Sequence, residues 1–228
     1  MSSIVYGKNS FFEALKNKRI ICAYVLDDSE IKNYRINYKK VDRKTLDKMS
    51  KSQNHQGYLA EVKDFEFSSV DSMLKSSNGL IVMLDGLEDV HNLGAIIRTA
   101  ECAGVDGIIY KTHDSVKVND TVAKVACGAL EYVKVAEVTN LSKTLKDLKN
   151  KGYWIVGADG SGDSLYTDLK YDFNTVLVIG SEGKGISRLV KEECDYIVKL
   201  PMVGNVTSLN ASVAAGILIY NIVSTRNA

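Results

Sequence analysis

Val176-Leu177-Val178-Ile179-Gly180-Ser181-Glu182-Gly183-Lys184-Gly185-Ile186-Ser187 is an aliphatic run that breaks into a glycine loop. Four consecutive branched apolar residues without polar alternation predict a strand buried on both faces, the habit of parallel sheets. The glycines let backbone approach a ligand closely. The loop lacks the spacing of a phosphate loop and of the G-x-G-x-x-G dinucleotide fingerprint, and Glu182 would repel a phosphate. An uncharged or cationic ligand suits it better than a nucleotide polyphosphate.

Outward from this run the same pattern recurs. Leu80 to Leu84, Gly107 to Tyr110, Tyr132 to Val138, Tyr153 to Ala158 and Tyr196 to Leu200 are apolar runs separated by helical patterns, which predicts an α/β domain with a mainly parallel sheet. The last segment, Thr207 to Val223, reads as a helix with two apolar stripes. One is Leu209, Val213, Ile217 and Tyr220, and the other Ala211, Ala214, Leu218 and Ile222. A helix apolar on most of its circumference is buried in a core or an interface. Ahead of Gly79 the chain reads as a small mixed α/β unit, with helical spacing over Gly7 to Asn17 and Val41 to Met49 and strand-like runs at Ile20 to Leu26 and Tyr58 to Val62. The expected organisation is a first domain at 1–66, a polar linker at 67–78 and a second domain at 79–228.

The 228 residues are 45% hydrophobic and 25% charged, an ordinary globular composition. The N-terminus has no basic start followed by an apolar run, and no apolar stretch is long enough to span a bilayer. A cytoplasmic protein without membrane association is expected. Cys22, Cys102, Cys127 and Cys194 lie far apart, and His55, His91 and His113 are scattered, so neither disulfides nor a metal site is expected. The net charge of +1 conceals an asymmetry: residues 1–67 hold 13 Lys and Arg against 9 Asp and Glu, the remainder 16 against 19. Between Lys32 and Lys51 eight cations face only Asp42 and Asp47, with Tyr34 and Tyr38 interleaved. Such a segment suits RNA backbone and unpaired bases, and equally a solvated surface.

Two further polar segments follow predicted strands, where open parallel sheets place their ligand crevices. Leu84 to Ala100 carries Asn92, which can cap the following helix, and Arg98. Lys199 to Ala214 carries Pro201, the only proline, then Thr207, Ser208 and Asn210 at the mouth of the apolar helix. Capping needs one such residue, so some of the three are expected to face a ligand.

Together the three segments resemble the three motifs of the SpoU class of RNA 2'-O-methyltransferases, in order and in spacing. Asn92 and Arg98 meet Asn-x-x-x-x-x-Arg; Gly180, Glu182, Gly185 and Ile186 meet Gly-x-Glu-x-x-Gly-Ile; Pro201 to Ala214 meets Pro-Met…Ser-Leu-Asn-x-Ser-Val-Ala. Val5-Tyr6-Gly7-Lys8-Asn9 and Asn54-His55-Gln56-Gly57 are similar to the substrate domain of family members that methylate a guanosine of 23S ribosomal RNA. The resemblance implies a C-terminal trefoil knot, which chain-topology rules would not suggest. It further implies a homodimer joined through the terminal helix, an RNA partner, and S-adenosyl-L-methionine held by Gly180, Leu200, Met202 and Leu209. Asn92, Arg98, Glu182, Ser208 and Asn210 are the implied catalytic residues. The family role of the Arg as a base is awkward, since a guanidinium has a pKa above about 12 and no available lone pair. Stabilising a developing alkoxide, or holding the adjacent phosphate, fits it better. Alternatives are a transfer-RNA target, or a noncatalytic RNA-binding protein of the same fold.

Overall fold

The computed structural model describes residues 2–63, 65–113 and 115–227. In its N-terminal part β1 (Ser2–Tyr6), α1 (Lys8–Lys16), β2 (Ile20–Val25), β3 (Tyr38–Lys40), α2 (Arg43–Met49) and β4 (Tyr58–Lys63) follow one another. The sheet order is β1-β4-β2-β3, with β4 antiparallel to both neighbours and β3 parallel to β2. The helical spacing near residue 11 buries Phe11, Ala14 and Leu15 against Val5, Ala23, Val25, Tyr58, Ala60 and Val62. β1 and β3 were not foreseen. β3 is Tyr-Lys-Lys with all three side chains exposed, so backbone pairing makes it a strand without any apolar signal.

The two N-terminal motif stretches meet in this unit. Lys8 N donates to Gln56 Oε1 at 2.9 Å. Buried His55 fixes the second stretch: its Nδ1 accepts from Gly57 N at 3.0 Å while Nε2 lies 3.0 Å from Asp47 Oδ1 on α2.

The larger sheet contains β5 (Leu80–Asp85), β6 (Gly107–Lys111), β7 (Val135–Val138), β8 (Trp154–Ala158), β9 (Ser164–Leu165), β10 (Thr175–Gly180) and β11 (Tyr196–Lys199). The order is β7-β6-β5-β10-β8-β11-β9 and every pairing is parallel. All six residues of β5 and five of the six in β10 are buried, which is why these strands read as unbroken apolar runs. The helices are α3 (Val90–Cys102), α4 (Asp120–Val125), α5 (Leu141–Asn150), α6 (Arg188–Lys191) and α7 (Ala211–Arg226).

Residues 1–66 and 118–132 form one compact unit, residues 67–117 and 133–228 the other. The segment read from sequence as a linker therefore belongs to the larger unit, where Val70–Met73 is a 3₁₀ turn and Met73 is buried in the sheet core. Likewise α4 packs on β1 in the smaller unit rather than on the larger sheet. Chain order hides this excursion, because α4 is short and its apolar residues show no preference for either core.

α7 begins later than its apolar stripes suggest, at Ala211, because Asn210 is the residue whose side chain accepts from Ser212 N and Val213 N. Thr207, Ser208 and Leu209 are exposed and nonhelical. Ala211, Ala215, Leu218, Ile219 and Ile222 are buried, while Val213, Ile217 and Tyr220 remain exposed. Its far end is fastened by Arg226, whose guanidinium donates to the carbonyls of Tyr171, Phe173, Asn78 and Gly79 and to Thr175 Oγ1 at 2.7 to 3.2 Å. Among the described residues no helix is long and apolar enough to cross a membrane.

Candidate active site

Strand register brings the polar segments to one level. Gly180 pairs opposite Asp85, Ile179 opposite Ala158, and Val198 opposite Ala158. The chain thus leaves β5, β8, β10 and β11 on the same carboxyl edge, the usual place for a ligand in such sheets.

The loop after β10 closes on itself. Ser181 N donates to Gly185 O at 3.1 Å and Gly185 N to Ser181 O at 3.0 Å. A Cβ on Gly180 would run into the Gly185 backbone, and Gly185 has φ +66°, so both positions require glycine. Asp85 fixes the loop's far end, its Oδ2 accepting from Ser187 N at 2.7 Å.

Three sequence-predicted residues converge in one hydrogen-bonded network. Glu182 Oε1 accepts from Asn92 Nδ2 at 2.9 Å, from Asn210 Nδ2 at 2.8 Å and from Ala211 N at 3.2 Å. Asn210 Nδ2 also donates to Asn92 Oδ1 at 2.9 Å. The carboxylate sits at the positive end of the 16-residue α7, where it meets the first backbone N–H of that helix. Asn92 is not the expected helix cap. Asp89 caps α3, accepting from His91 N at 2.8 Å, and Asn92 is buried one turn further on, where its amide is free of the backbone and faces Glu182.

Against this network lies a cavity of ≈320 Å³, within the roughly 300–1,000 Å³ of small-molecule sites. Gly180, Leu200, Met202 and Leu209, the four expected cofactor residues, all line it, as do Glu182 and Ser208. Ile179, Val198, Ala211 and Ala214 add apolar wall. With the carboxylates of Asp159 and Glu182 also on its wall, the cavity suits an uncharged or cationic ligand better than a polyphosphate. Arg98 is exposed on α3 and is not among the lining residues. A neighbouring hollow of ≈370 Å³ lies beside Asn92, Ser181 and Glu182, with Glu88 and Asp89 also on its wall.

Asp159, at the end of β8, lines the main cavity and was missed. Burial would raise its carboxyl, yet hydrogen bonds from the Ser161 hydroxyl and N–H and the nearby Lys191 ammonium hold it at about 2. Its signal was legible: Ala158-Asp159-Gly160-Ser161-Gly162 is a further polar-glycine stretch after a predicted strand. Among the described residues no group of three or more His, Cys, Asp or Glu side chains could hold a metal ion.

Comparison with known proteins adds to this geometry. Residues 79–220 match the SpoU rRNA Methylase family, and residues 4–68 match a family described as RNA 2'-O ribose methyltransferase substrate binding. The Bacillus subtilis (strain 168) protein YacO, which carries a TrmH family tRNA/rRNA methyltransferase name, is 42% identical over 98% of this chain and 96% of its own. The crystal structure of the SpoU methyltransferase AviRb from Streptomyces viridochromogenes with AdoMet superposes with a TM-score of 0.86 at 23% identity, covering 100% of this chain and 91% of that one. An AdoMet-bound rRNA methyltransferase from Sinorhizobium meliloti gives 0.86 at 21% identity, over 97% and 86%. At those identities the two structures speak to the fold.

Proposed function

Since this chain belongs to the SpoU rRNA Methylase family, we propose that it transfers a methyl group from S-adenosyl-L-methionine to a ribose 2'-hydroxyl of RNA, with a guanosine of 23S ribosomal RNA as the target. The observation that carries this reading is the meeting of four expected cofactor residues in one cavity beside the Asn92–Glu182–Asn210 network. The cofactor, when bound, supplies an electrophilic methyl on a sulfonium.

In this reading the chain's own residues chiefly position. Gly180, Leu200, Met202 and Leu209 seat the donor through backbone and apolar contact. Glu182, held by two amides and a helix terminus, keeps the glycine loop and α7 at a fixed separation beside that seat. Ser208, on the cavity wall, orients the incoming ribose. Arg98 acts from outside the cavity on the RNA, stabilising the developing alkoxide or the adjacent phosphate, so that alignment and charge stabilisation supply the rate.

The eight cations between Lys32 and Lys51 are all exposed, with Tyr34 beside them half exposed and Tyr38 on the sheet edge, and this surface is assigned to RNA. The exposed apolar side chains of Val213, Ile217 and Tyr220 along α7, with Leu209 just ahead of it, are assigned to a homodimer, since water-facing apolar surface of this kind otherwise has no favourable neighbour. The knot implied by the family belongs to the same reading. A transfer-RNA target is the second reading, favoured by the tRNA/rRNA wording of the YacO name.

The test is ribose-methylation mapping of total RNA from cells lacking the protein, complemented with wild type or Arg98→Ala. Loss of one 23S guanosine mark, restored only by wild type, is expected. A lost mark on transfer RNA would replace the target, and an unchanged map would remove the enzymatic reading.

A further inference from the structure

Asp159 combines features that no part of the reaction described above uses. Its Oδ1 is saturated, accepting from Ser161 N at 2.9 Å, from Ser161 Oγ at 2.6 Å and from Lys191 Nζ at 3.0 Å. Lys191 in turn donates to Ser161 Oγ at 2.6 Å, which closes a three-membered brace. The backbone beneath is fixed as well, with Asp159 N donating to Val198 O at 3.0 Å and Gly162 N to Asp159 O at 3.0 Å. Oδ2 takes part in none of these bonds. It lies where a Cβ on Gly185 would approach to 2.9 Å, so the missing side chain of the glycine loop makes its room. Both Asp159 and Gly185 line the cavity.

A carboxylate is an acceptor only, and one held rigidly with an oxygen left over is built to receive a donor. Lys191 beside it makes the pair neutral overall, which weakens its grip on a ligand cation and leaves its hydrogen-bonding capacity intact. The geometry points to Asp159 as a cofactor-binding residue whose Oδ2 accepts from the ribose hydroxyls of S-adenosyl-L-methionine. The inference rests on the cavity being the donor site. The same chemistry serves other folds, in which an acidic residue beyond a parallel strand holds a nucleotide ribose.

Calorimetric titration of purified wild type, Asp159→Asn and Ser161→Ala with S-adenosylmethionine, S-adenosylhomocysteine and 5'-methylthioadenosine tests it. The three ligands share the ribose, only the first carries the sulfonium charge, and the third lacks the amino-acid tail. Asp159→Asn should weaken all three alike, about tenfold, the scale of one charge-assisted hydrogen bond. Ser161 is exposed, so Ser161→Ala serves where the Asn variant fails to fold, and should weaken all three alike by about threefold. Loss for S-adenosylmethionine alone would mean that the carboxylate reads charge and would overturn the assignment. Unchanged affinities in the folded variants would overturn it too. If wild type itself bound none of the three, the proposed function would fail before Asp159 was at issue.

Discussion

Asn210 donates from its side-chain amide to Asn92 Oδ1 at 2.9 Å across 118 residues of chain, and the same amide donates to Glu182 Oε1 at 2.8 Å. Its other side-chain atom, Oδ1, caps α7 through Ser212 N at 2.9 Å. One residue therefore starts the last helix and ties it to the other two motifs. The two duties separate by mutation, because Ser caps about as well as Asn but cannot span to Asn92. Asn210→Ser should lose the ties and keep the cap. Asn210→Ala should lose both and be less stable than the Ser variant by about 1 kcal/mol in urea titrations. Equal stability of the two would show that the cap contributes nothing.

Arg98 is exposed on α3 and lies outside the cavity lining. Methyl transfer should nearly vanish in Arg98→Ala, while the dissociation constant for S-adenosylmethionine changes by less than about twofold. Arg98→Lys keeps the charge without the planar fork and should rescue little. Collapse of cofactor affinity with surviving turnover at saturation would contradict the role given to this residue.

Arg226 makes five hydrogen bonds to groups at the foot of the sheet. Burial depresses the guanidinium pKa from its ordinary value, but it stays charged at any working pH. Arg226→Met keeps much of the aliphatic volume and leaves those carbonyls unmet. A loss of about 3 kcal/mol is expected, or roughly 6–12 °C in melting temperature. Scanning calorimetry would show it, and a shift under 2 °C would mean that water replaces the clamp without loss.

The acid limb of stability should carry a contribution from Asp159. Its carboxyl in the folded chain titrates at about 2, below its usual 3.8, so folding favours the ionised form. This contribution is complete above about pH 4 and disappears as pH falls from there towards 2. Asp159→Asn should flatten the decline in unfolding free energy across that window, as followed by chemical denaturation at several acid pH values. An identical decline in both proteins would place the acid sensitivity elsewhere.

The exposed stripe on α7 predicts self-association. Ile217 is 38% exposed and stands between Val213 and Tyr220 on that face. Ile217→Glu should leave the monomer folded and shift the mass found by light scattering from two chains to one. A wild-type monomer at micromolar concentration would remove the dimer assignment.

The sequence by itself determined the parallel α/β sheet, because strands buried on both faces read as continuous apolar runs, as Leu80 to Leu84 of β5 and Val176 to Ile179 of β10 do. The family resemblance in its motifs also singled out Gly180, Leu200, Met202 and Leu209, and all four line one cavity. Tertiary structure decided what depends on distance across the chain. It made Asn92 a network partner rather than a cap, carried α4 into the smaller unit, started α7 at Ala211, and placed Asp159 over Gly185. Periodicity reports which face of an element avoids water. Which polar groups then meet depends on strand order and register, and in a sheet ordered β7-β6-β5-β10-β8-β11-β9 the neighbours in space are mostly not neighbours in sequence.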